Sequence, residues 1–378
     1  MHKRSVLFIV HGLWRGGAET QLVGLVNRLP AERFHKSIFS SRQGDDLKDD
    51  VRTDEVTLFK ATKKSRLDLG VAREIARIID EQQIDIVHCT MRNAMLFGYL
   101  GIRLAKRKPG LIVAVHSTKN ANLMLDFADR LVYRFILRRC ARVWFVSSRQ
   151  ADLWTGKMPF LSPKAVTIHN GVDHEVFDAA RSEPDGRKLR ESLGIANDDK
   201  VICSIAGFRR VKLHSVLIDA LKKLRDSGNR CHLLLAGSGP LEHEIRSQVR
   251  KLDLDDIVRF LGNLHDVRPV LAASDCMVLV SEAETLSMAM LEAMAMEVPV
   301  ITTTVGGASE AIDDRVNGFL IPPNDVDKLV DTINDVLENE DRRNAMGKAA
   351  RATVTSRFTV SKMTNDSAES LLAIPMPS

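Results

Sequence analysis

The sequence predicts an α/β protein with two domains, each built on a doubly wound parallel sheet. Short apolar segments alternate with longer amphipathic segments along the 378 residues, which is the pattern of repeated strand–helix units. This alternation begins at residues 5–10 and begins again at residues 201–206. The chain is also long enough for two domains of ordinary size. We expect residues 1–178 and 179–357 to form them, joined by the polar segment 181–187, which contains proline and glycine.

The predicted strands are nearly continuous apolar runs, as expected for a sheet covered on both faces. In the first domain, strands are predicted at residues 5–10, 37–40, 56–59, 84–89, 111–115, 142–148 and 165–169, with helices ending at 29 and spanning 67–82 and 121–140. In the second domain, strands are predicted at 201–206, 231–236, 258–261, 276–280, 298–301 and 317–322, with helices at 187–193, 215–226, from 285 or 287 to 296, and at 325–339.

The composition is that of a soluble globular protein, with 44% hydrophobic and 27% charged residues. The five cysteines are scattered without a Cys-x-x-Cys pair, which argues against a disulfide framework and a zinc site and favours a reducing cytoplasm. The apolar stretch at residues 6–10 is too short for the core of a signal peptide, and no apolar run has the length of a membrane span. We therefore expect a cytoplasmic protein.

Positive charge is concentrated in the first half of the chain. Residues 1–180 contain 29 Lys and Arg against 19 Asp and Glu, whereas residues 181–378 contain 25 against 30. A basic surface attracts anionic lipid, a phosphate-bearing acceptor or nucleic acid, but no nucleic-acid-binding motif is present and no nucleic-acid partner is expected. We interpret the predicted helix at 121–140 as a surface helix with one buried face. The alternative is that this helix and the basic cluster at 103–108 form a docking face for the inner membrane surface.

The segment most informative about function is residues 281–303. Glu284 lies in the turn between the predicted strand at 276–280 and the following helix, and Glu292 lies eight residues later, about 12 Å along the helix axis. Ligands of open α/β sheets bind beside such turns, and this separation suits a long ligand. Taken singly, Glu284 is better explained as a carboxylate that complements a helix N-terminus, and Glu292 as a solvated helix residue.

The whole segment resembles the Glu-x7-Glu signature of retaining glycosyltransferases of family four, the group-one transferases with GT-B architecture. The match to Ser-x-x-Glu-Thr/Gly-Phe-x-x-x-x-Leu-Glu-Ala-Met-Ala is close, with Leu286 in the place of phenylalanine. The resemblance covers nearly the whole chain and is strongest from 201 to 322. It implies two Rossmann-like domains that face each other across a cleft, with a last helix at 358–378 returning to the first domain.

A second match follows the first strand of the second domain. Gly207 opens a loop that contains Arg209 and Lys212, and two cations at a strand-to-helix turn suit a diphosphate. Basic loop residues alone are weak evidence. Here they resemble the family's Phe-Arg-Pro-Val-Lys-Gly loop, which grips the pyrophosphate. Arg210 replaces its proline and Leu213 its glycine, and the second change puts the loop shape in question.

The first domain contributes two further candidates. Gly16 and Gly17 lie between the first strand and the first helix; alone they are a turn, but they resemble the family loop that contacts the donor's distal phosphate and sugar. His88 and His116 lie at the carboxyl ends of predicted strands. We interpret His88 as a structural hydrogen-bonding residue, whereas His116 resembles the family's histidine near the donor sugar.

Four further features lie in loops of the second domain. Residues 237–240 lack the third glycine of a dinucleotide fingerprint and are predicted to form a tight turn. The loop at 262–267, with Leu264, corresponds to the family loop beside the nucleobase. Glu297 replaces a family glycine, so we expect a local backbone adjustment there. Residues 306 and 307 are a second glycine pair at a strand end.

The resemblance implies the following roles. Arg209 and Lys212 neutralise the leaving diphosphate, Glu292 binds ribose hydroxyls, and Glu284 hydrogen-bonds the donor sugar within a turn formed with Thr285, Leu286 and Ser287. Gly16, Gly17 and His116 complete the site when the domains close. No residue is a convincing covalent nucleophile, which favours a same-face mechanism. Asp-x-Asp occurs only at 253–255 and 325–327, in predicted caps and loops, so we expect neither a metal nor another cofactor.

The sequence therefore predicts retaining transfer of a sugar from a nucleoside diphosphate sugar to a saccharide or lipid-linked acceptor, in polysaccharide or glycolipid synthesis. A sugar-nucleotide epimerase and a non-catalytic nucleotide-sugar-binding scaffold stay open as alternatives. A phosphorylase is disfavoured, because it needs a cofactor lysine and a longer chain. The base (uracil, guanine or adenine), the sugar and the acceptor are not determined by the sequence.

Overall fold

The computed structural model describes residues 3–14, 16–41, 46–61, 68–116 and 129–377, with no side chains described for 91–93 and 129–130. The chain divides into two compact units. Unit 1 comprises the residues up to Asn170 together with those from Val360, and unit 2 is Gly171–Thr359. The sequence-based boundary lies at residues 178 and 179. Within the described ranges, no helix is both long enough and apolar enough to cross a bilayer.

Unit 1 consists of strands and helices in alternation. Its strands are β1 (Arg4–Val10), β2 (Phe34–Ser40), β3 (Val56–Lys60), β4 (Ile86–Thr90), β5 (Gly110–Val115), β6 (Arg142–Phe145) and β7 (Ala165–Thr167). Its described helices are α1 (Gly17–Arg28), α2 (Leu69–Glu81), α3 (Met91–Leu104), α4 (Arg134–Leu137) and α5 (Ser148–Lys157), with the π-helical turn Asp129–Tyr133 and the 3₁₀ turn Pro159–Lys164. The C-terminal helix of the chain, which we call α14 (Val360–Leu372), also belongs to this unit.

The seven strands of unit 1 form one parallel sheet in the order β3-β2-β1-β4-β5-β6-β7. Side chains of β1 alternate between two apolar cores: Val6, Phe8 and Val10 pack with α1 and α14, whereas Leu7 and Ile9 pack with α2 and α3. Helices therefore cover both faces. The strand order reverses between β1 and β4, so a ligand crevice is expected beyond the carboxyl ends of these two strands.

Unit 2 repeats this organisation. Its strands are β8 (Lys200–Ile205), β9 (Cys231–Ala236), β10 (Val258–Gly262), β11 (Cys276–Leu279), β12 (Val300–Thr303) and β13 (Phe319–Ile321). Its helices are α6 (Ala179–Ser192), α7 (His214–Asp226), α8 (Glu242–Lys251), α9 (Arg268–Ala272), α10 (Met288–Ala295), α11 (Ala308–Ala311), α12 (Val326–Glu338) and α13 (Glu340–Arg357), with a 3₁₀ turn at Arg210–Lys212.

The six strands of unit 2 are parallel, in the order β10-β9-β8-β11-β12-β13, and the order reverses between β8 and β11. Buried apolar residues of these strands, such as Ile202 and Val278, pack with those of α7 and α12 into one continuous core. The loops that follow β8 and β11 therefore meet at the edge where ligands of such sheets bind. The predicted fold class, two doubly wound parallel α/β units, is confirmed.

The predicted linker at 181–187 is wrong, because these residues lie within helix α6. Asp178 caps that helix by accepting a hydrogen bond from the backbone N–H of Arg181 at 3.0 Å. Gly186 lies against α9, where an added Cβ would be 2.6 Å from the carbonyl carbon of Ala272. Its glycine thus permits close helix packing and does not mark a flexible hinge.

The predicted helix at 121–140 falls partly outside the described residues, which exclude 117–128. The described part begins with the π-helical turn Asp129–Tyr133 and continues as α4. The predicted helix at 187–193 is the second half of α6, which ends at Ser192.

Candidate functional site

The loops after β8 and β11 in unit 2 are in direct contact. The backbone N–H of Glu282 donates to the carbonyl oxygen of Val211 at 2.9 Å. The Lys212 ammonium forms an ion pair with the Glu284 carboxylate, and these side chains are 20% and 19% exposed. Two of the predicted site residues, which lie far apart in sequence, are therefore partners at the ligand-binding edge of this sheet.

The second predicted cation of the loop is in a different state. Arg209 is exposed, and the described part of the chain offers its guanidinium no hydrogen bond or ion pair. It precedes α7, whose first turn presents backbone N–H groups. One cation at this helix terminus is therefore available to an anion, and the other is held by a carboxylate.

Two glycines of the neighbouring turn support the loop that begins at Gly207. Phe208 donates its N–H to the carbonyl of Ser238 at 3.1 Å and accepts from the N–H of Leu241 at 3.1 Å. A Cβ at Gly239 would be 2.5 Å from the carbonyl oxygen of Phe208, and Gly237 has a φ of +141°. Residues 237–240 thus form the tight turn expected from the sequence.

Two positions at which the family has glycine keep a glycine-like backbone. Leu213 has φ +42° and ψ +37°, and Glu297 has φ +60°, so both are left-handed. Each conformation costs a non-glycine residue about 1 kcal/mol. The half-buried side chain of Leu213 packs against the core of unit 2, and Glu297 lies 3.8 Å from the Arg351 guanidinium. Leu213 therefore adopts a backbone conformation that favours glycine, at a local energetic cost.

The turn that contains Glu284 is fixed from two sides. Ser287, and not Thr285, caps α10: its hydroxyl accepts from the N–H of Met290 at 3.4 Å. Leu286 is 2% exposed, so its side chain anchors the turn in the protein interior. On the other side, the backbone N–H of Gly307 donates to the carbonyl of Thr285.

Gly306 contacts the same turn more closely than any side chain would allow. It has φ +58°, and an added Cβ would overlap the carbonyl oxygen of Glu284. The sequence indicated only a glycine pair at a strand end. Its role in positioning Glu284 has no local signal, because it depends on a contact between loops that follow different strands.

Glu292 has an unusual electrostatic environment. Its side chain is half-buried in α10, and burial, followed by the negative charge of Asp266, raises its pKa to about 7. Asp266 is itself held by the Arg268 guanidinium at 2.6 Å. The loop at 262–267, which includes the half-buried Leu264, therefore lies near Glu292. Sequence reasoning missed Asp266, which is one of many charged loop residues.

This pKa shift predicts a pH-dependent stability effect. Above pH 7 the folded protein must hold Glu292 ionised in a partly desolvated place, whereas below its ordinary pKa of 4.5 the group is protonated in both the folded and the unfolded state. Glu292→Gln should therefore raise the free energy of unfolding by about 2 kcal/mol at pH 8. The gain should shrink as the pH falls from 7 to 4.5.

Denaturant unfolding at pH 8 and pH 5 measures this difference. Glu338→Gln, which replaces an exposed glutamate of α12, is the matched control and should show no such pH dependence. A gain for Glu292→Gln that is equal at both pH values would contradict the burial of this carboxylate.

In unit 1, the predicted glycine pair forms the start of α1. Gly16 is the N-cap residue and Gly17 the first residue of the helix, and the N–H of Thr20 donates to the Gly16 carbonyl at 2.9 Å. Gly16 has an extended backbone with φ −139°, so its conformation does not require glycine. A Cβ there would instead be 2.7 Å from Oε2 of Glu19, which turns back toward the helix start. The absent side chain thus leaves room for the Glu19 carboxylate at this terminus.

A cavity of about 40 Å³ lies beside this terminus; we call it the unit 1 cavity. It is bounded by the carboxyl ends of β4, β5 and β6 and by helices α1 and α14. His116 and Ala18 are its half-buried lining residues, and the other thirteen lining residues are buried. His116 and the residue that follows Gly17 therefore line one cavity.

His88 lies at the buried side of this cavity. Its ring is between the rings of Phe8 and Trp144, at centroid distances of 5.2 and 4.8 Å. Neither ring nitrogen has a hydrogen-bond partner within the described ranges, which corrects the interpretation of His88 as a structural hydrogen-bonding residue. Burial lowers the pKa of His88 to about 3 and that of His116 to about 4, so both rings are neutral near pH 7.

Comparisons with known proteins agree with this geometry. Residues 185–353 match the family model described as glycosyl transferases group 1, and residues 15–176 match that of glycosyltransferase family 4. The N-acetyl-alpha-D-glucosaminyl L-malate synthase of Bacillus anthracis is 30% identical over 298 residues, which are 78% of this chain and 76% of that protein.

Solved structures show the same fold. The Anabaena protein HepE, in complex with UDP and glucose, superimposes with a TM-score of 0.87 at 23% identity, covering 98% of this chain and 100% of that one. A glycosyltransferase from Rickettsia africae gives a TM-score of 0.85 at 23% identity, covering 99% and 100%. With two doubly wound parallel sheets and matches along both units, the chain belongs to the group 1 glycosyltransferases of GT-B architecture.

Proposed function

We propose that this glycosyltransferase uses a nucleoside diphosphate sugar as donor, retains the configuration at the anomeric carbon and requires no metal ion. The observation that carries this proposal is the Lys212–Glu284 ion pair at the ligand-binding edge of unit 2, next to the exposed Arg209. A nucleotide sugar offers diphosphate oxygens to the cations Lys212 and Arg209, and sugar hydroxyls to the carboxylate of Glu284.

The diphosphate is bound where positive charge converges. Backbone N–H groups at the start of α7 and the guanidinium of Arg209 attract its oxygens. Lys212 becomes available when the diphosphate displaces the carboxylate of Glu284. The displaced carboxylate is then free to accept hydrogen bonds from the donor sugar. Glu292, eight residues further on, accepts hydrogen bonds from ribose hydroxyls, and Leu264 lies in the loop that flanks the base.

These positive groups also supply the chemistry of the leaving group. As the bond between the anomeric carbon and the phosphate oxygen breaks, negative charge develops on the diphosphate, and Arg209 and Lys212 stabilise it. The acceptor oxygen bonds to the same face of the anomeric carbon, and its proton passes to the departing phosphate oxygen. This route retains the configuration and uses no covalent enzyme intermediate.

UDP is the first nucleotide to test, because HepE was solved with UDP and glucose. Calorimetric titration of UDP, GDP and ADP should show micromolar binding of one of them, with and without magnesium. Failure of all three to bind at any magnesium concentration would remove the basis for a nucleotide-sugar donor. Binding that appears only with magnesium would contradict the metal-independent form of the proposal.

The acceptor is a saccharide or a lipid-linked saccharide, in polysaccharide or glycolipid synthesis. A lipid-linked acceptor is favoured by one surface of unit 1. Leu131, Val132 and Phe135 are 62%, 47% and 46% exposed on adjacent turns, an unusual group of apolar side chains in contact with water. Arg138 and Arg139 are exposed beside them, and Arg139 stacks on Phe135 at 3.6 Å.

Apolar side chains flanked by arginines are suited to an anionic bilayer surface. We therefore place the protein at the inner face of the cytoplasmic membrane. The five buried, unpaired cysteines accord with that reducing compartment. In sedimentation with vesicles, the wild type should bind phosphatidylglycerol and not pure phosphatidylcholine, and binding should fall with added salt.

A double variant, Leu131→Ser with Phe135→Ser, should lose at least about tenfold of this vesicle affinity. Leu153→Ser, at a residue 42% exposed on α5 of the same unit, is the matched control and should bind like the wild type. Absence of wild-type binding to anionic vesicles at every salt concentration would reject the membrane placement.

A further inference from the structure

We propose that Arg351 is a positioning residue of the donor site in unit 2. Its guanidinium joins the end of α10, the helix that carries Glu292, to the turn at 173–178, which we call the entry turn because the chain enters unit 2 at Gly171. Binding of the nucleotide and the conformation of the entry turn are thereby coupled. This inference rests on the proposed function, since it takes Glu292 as the carboxylate that binds the ribose.

The guanidinium of Arg351 is surrounded by acceptors from two segments of unit 2. Its Nη1 donates to the carbonyl oxygen of Phe177 at 3.0 Å and to that of Ala295. Its Nη2 donates to the carbonyl oxygen of His174 at 3.3 Å and to Oδ2 of Asp178 at 3.1 Å. The two terminal nitrogens carry four N–H groups, and these four acceptors occupy them. Arg351 therefore acts on the site through the segments that it holds.

The first of these segments is the end of α10. This helix has only eight residues, and Glu292 lies in its last turn, three residues before Ala295. Carbonyl groups at a helix end lack partners within the helix and carry partial negative charge, so a guanidinium stabilises them. The same face of α13 contacts the chain just beyond, where an added Cβ at Gly347 would overlap the carbonyl oxygen of Glu297. Gly347 and Arg351 thus fix the end of α10 that carries Glu292.

The second segment is the entry turn. The carbonyl oxygen of Asp173 accepts from the N–H of Phe177 at 2.9 Å, which closes one helical turn. Just before it, the N–H of Val172 donates to the carbonyl oxygen of Phe358 at 2.9 Å, and unit 2 ends one residue after Phe358, at Thr359. The two points at which the chain crosses the boundary of unit 2 are therefore neighbours, next to the entry turn.

A second arginine links the entry turn to Asp266, whose negative charge acts on Glu292. Arg268 binds the Asp266 carboxylate, with Nη2 at 2.6 Å from Oδ2 and Nε at 2.9 Å from Oδ1. Its Nη1 donates to the carbonyl oxygen of Val176 at 3.4 Å. Arg268 is 37% exposed and its contact with the entry turn is longer, so Arg351, which is 22% exposed, is the stronger link.

These contacts have a consequence for binding. The planar fork of a guanidinium fixes its acceptors relative to one another, which a lysine ammonium does not. Movement of the entry turn therefore changes the position of the Glu292 carboxylate. Because such coupling is reciprocal, a nucleotide that holds Glu292 in place also orders the entry turn.

A double-mutant cycle of Arg351→Met and Glu292→Gln in the full-length protein tests the positioning role, with UDP, GDP and ADP as calorimetric probes. Each single variant should bind the nucleotide at least about tenfold more weakly than the wild type, as for one lost hydrogen bond to a charged group. The double variant should bind no more weakly than Glu292→Gln, because Arg351 acts through Glu292. Additive losses would overturn the assignment. Arg351→Lys, which keeps the charge without the fork, takes the place of Arg351→Met if that variant does not fold.

Hydrogen exchange of backbone amides tests the coupling. Bound nucleotide should slow exchange in the entry turn and in the last turn of α10 of the wild type. In Arg351→Met, the slowing in the entry turn should be lost. An entry turn that is still protected by nucleotide in this variant would contradict the coupling through Arg351, because the turn would then respond to the nucleotide by another route.

Arg190→Met is the matched control for a purely structural arginine. Arg190 is 13% exposed and donates to the carbonyl oxygens of Ala273 at 2.8 Å and Asp199 at 3.0 Å, beside the starts of β8 and β11. Its replacement should lower the free energy of unfolding and leave nucleotide affinity unchanged. Equal losses of affinity in Arg190→Met and Arg351→Met would reduce the effect to general stability and overturn the assignment.

Failure of all three nucleotides to bind the wild type would reject the proposed function, and exchange in the ligand-free protein then decides on Arg351 separately. Arg351→Met should accelerate exchange in the entry turn and in the last turn of α10 together, whereas Arg190→Met should accelerate neither. Acceleration in only one of the two segments would show that Arg351 does not join them.

Discussion

Lys212→Ala should weaken the binding of a nucleoside diphosphate by at least about 100-fold, the largest functional effect that we expect from one substitution. In the proposed donor complex, the variant removes a charge-assisted contact to the diphosphate. It also leaves the carboxylate of Glu284, whose side chain is 19% exposed, without the ammonium that now neutralises it. That carboxylate would then repel the incoming phosphate oxygens at short range.

Glu284→Gln should have the opposite effect on the same measurement. Without its carboxylate partner, Lys212 no longer has to be released before it contacts the diphosphate. We expect this variant to bind the free nucleoside diphosphate about threefold to tenfold more tightly than the wild type, while its transfer of sugar falls strongly. Calorimetry on the two variants therefore gives changes of opposite sign.

Lys223→Ala is the matched control for this pair. Lys223 forms an ion pair with Asp327 on the same unit, but its side chain is 53% exposed. Its replacement should leave nucleotide binding unchanged. Equal weakening by Lys212→Ala and Glu284→Gln would contradict the competition between the carboxylate and the diphosphate for Lys212.

The second large effect is expected at Gly306. Its φ of +58° is unfavourable for any other residue, and a Cβ would overlap the carbonyl oxygen of Glu284. Gly306→Ala should lower the free energy of unfolding by more than about 3 kcal/mol, because the backbone of the Glu284 turn has to move. Nucleotide binding should fall with it, since the movement displaces Glu284 from Lys212.

Gly194→Ala separates backbone conformation from the steric contact. Gly194 has a similar φ of +68°, but an added Cβ would have no neighbour within 4 Å. Its replacement should cost only about 1 kcal/mol and leave nucleotide binding intact. Denaturant unfolding and calorimetry on both variants make the comparison; equal losses would show that Gly306 is not in close contact with the Glu284 turn.

The sequence was sufficient to predict those features of the candidate site that depend only on the order of strands and loops along the chain. β8 and β11 are short, almost uninterrupted apolar runs, and their ends were placed within one residue. The resemblance to the family implied that the loop after β8 and the turn after β11 belong to one site, and parallel strands put their carboxyl ends at one edge of a sheet. The contact between Lys212 and Glu284 agrees with that expectation.

Features that depend on contacts distant in sequence were not predictable. Pro184 and Gly186 indicated a linker, but the packing of Gly186 on Ala272 keeps them in a helix. In the sequence Gly306 is only a glycine in a predicted turn, and its contact with the Glu284 turn is visible only in the structure. Ser367 lies on the last helix of the chain, and nothing in its local sequence shows that it lines the same cavity as His88.

We expect the donor sugar to be transferred to an acceptor with retention at the anomeric carbon. Once calorimetry has identified the nucleotide, the protein should be incubated with the corresponding α-linked nucleotide sugar, ¹³C-labelled at C1, and with saccharide or lipid-linked acceptors. NMR should show the label leaving the nucleotide and appearing on the acceptor as an α-glycoside. A β-glycoside would contradict retention, a new sugar still attached to the nucleotide would indicate an epimerase, and a bound donor never consumed by any acceptor would indicate a scaffold.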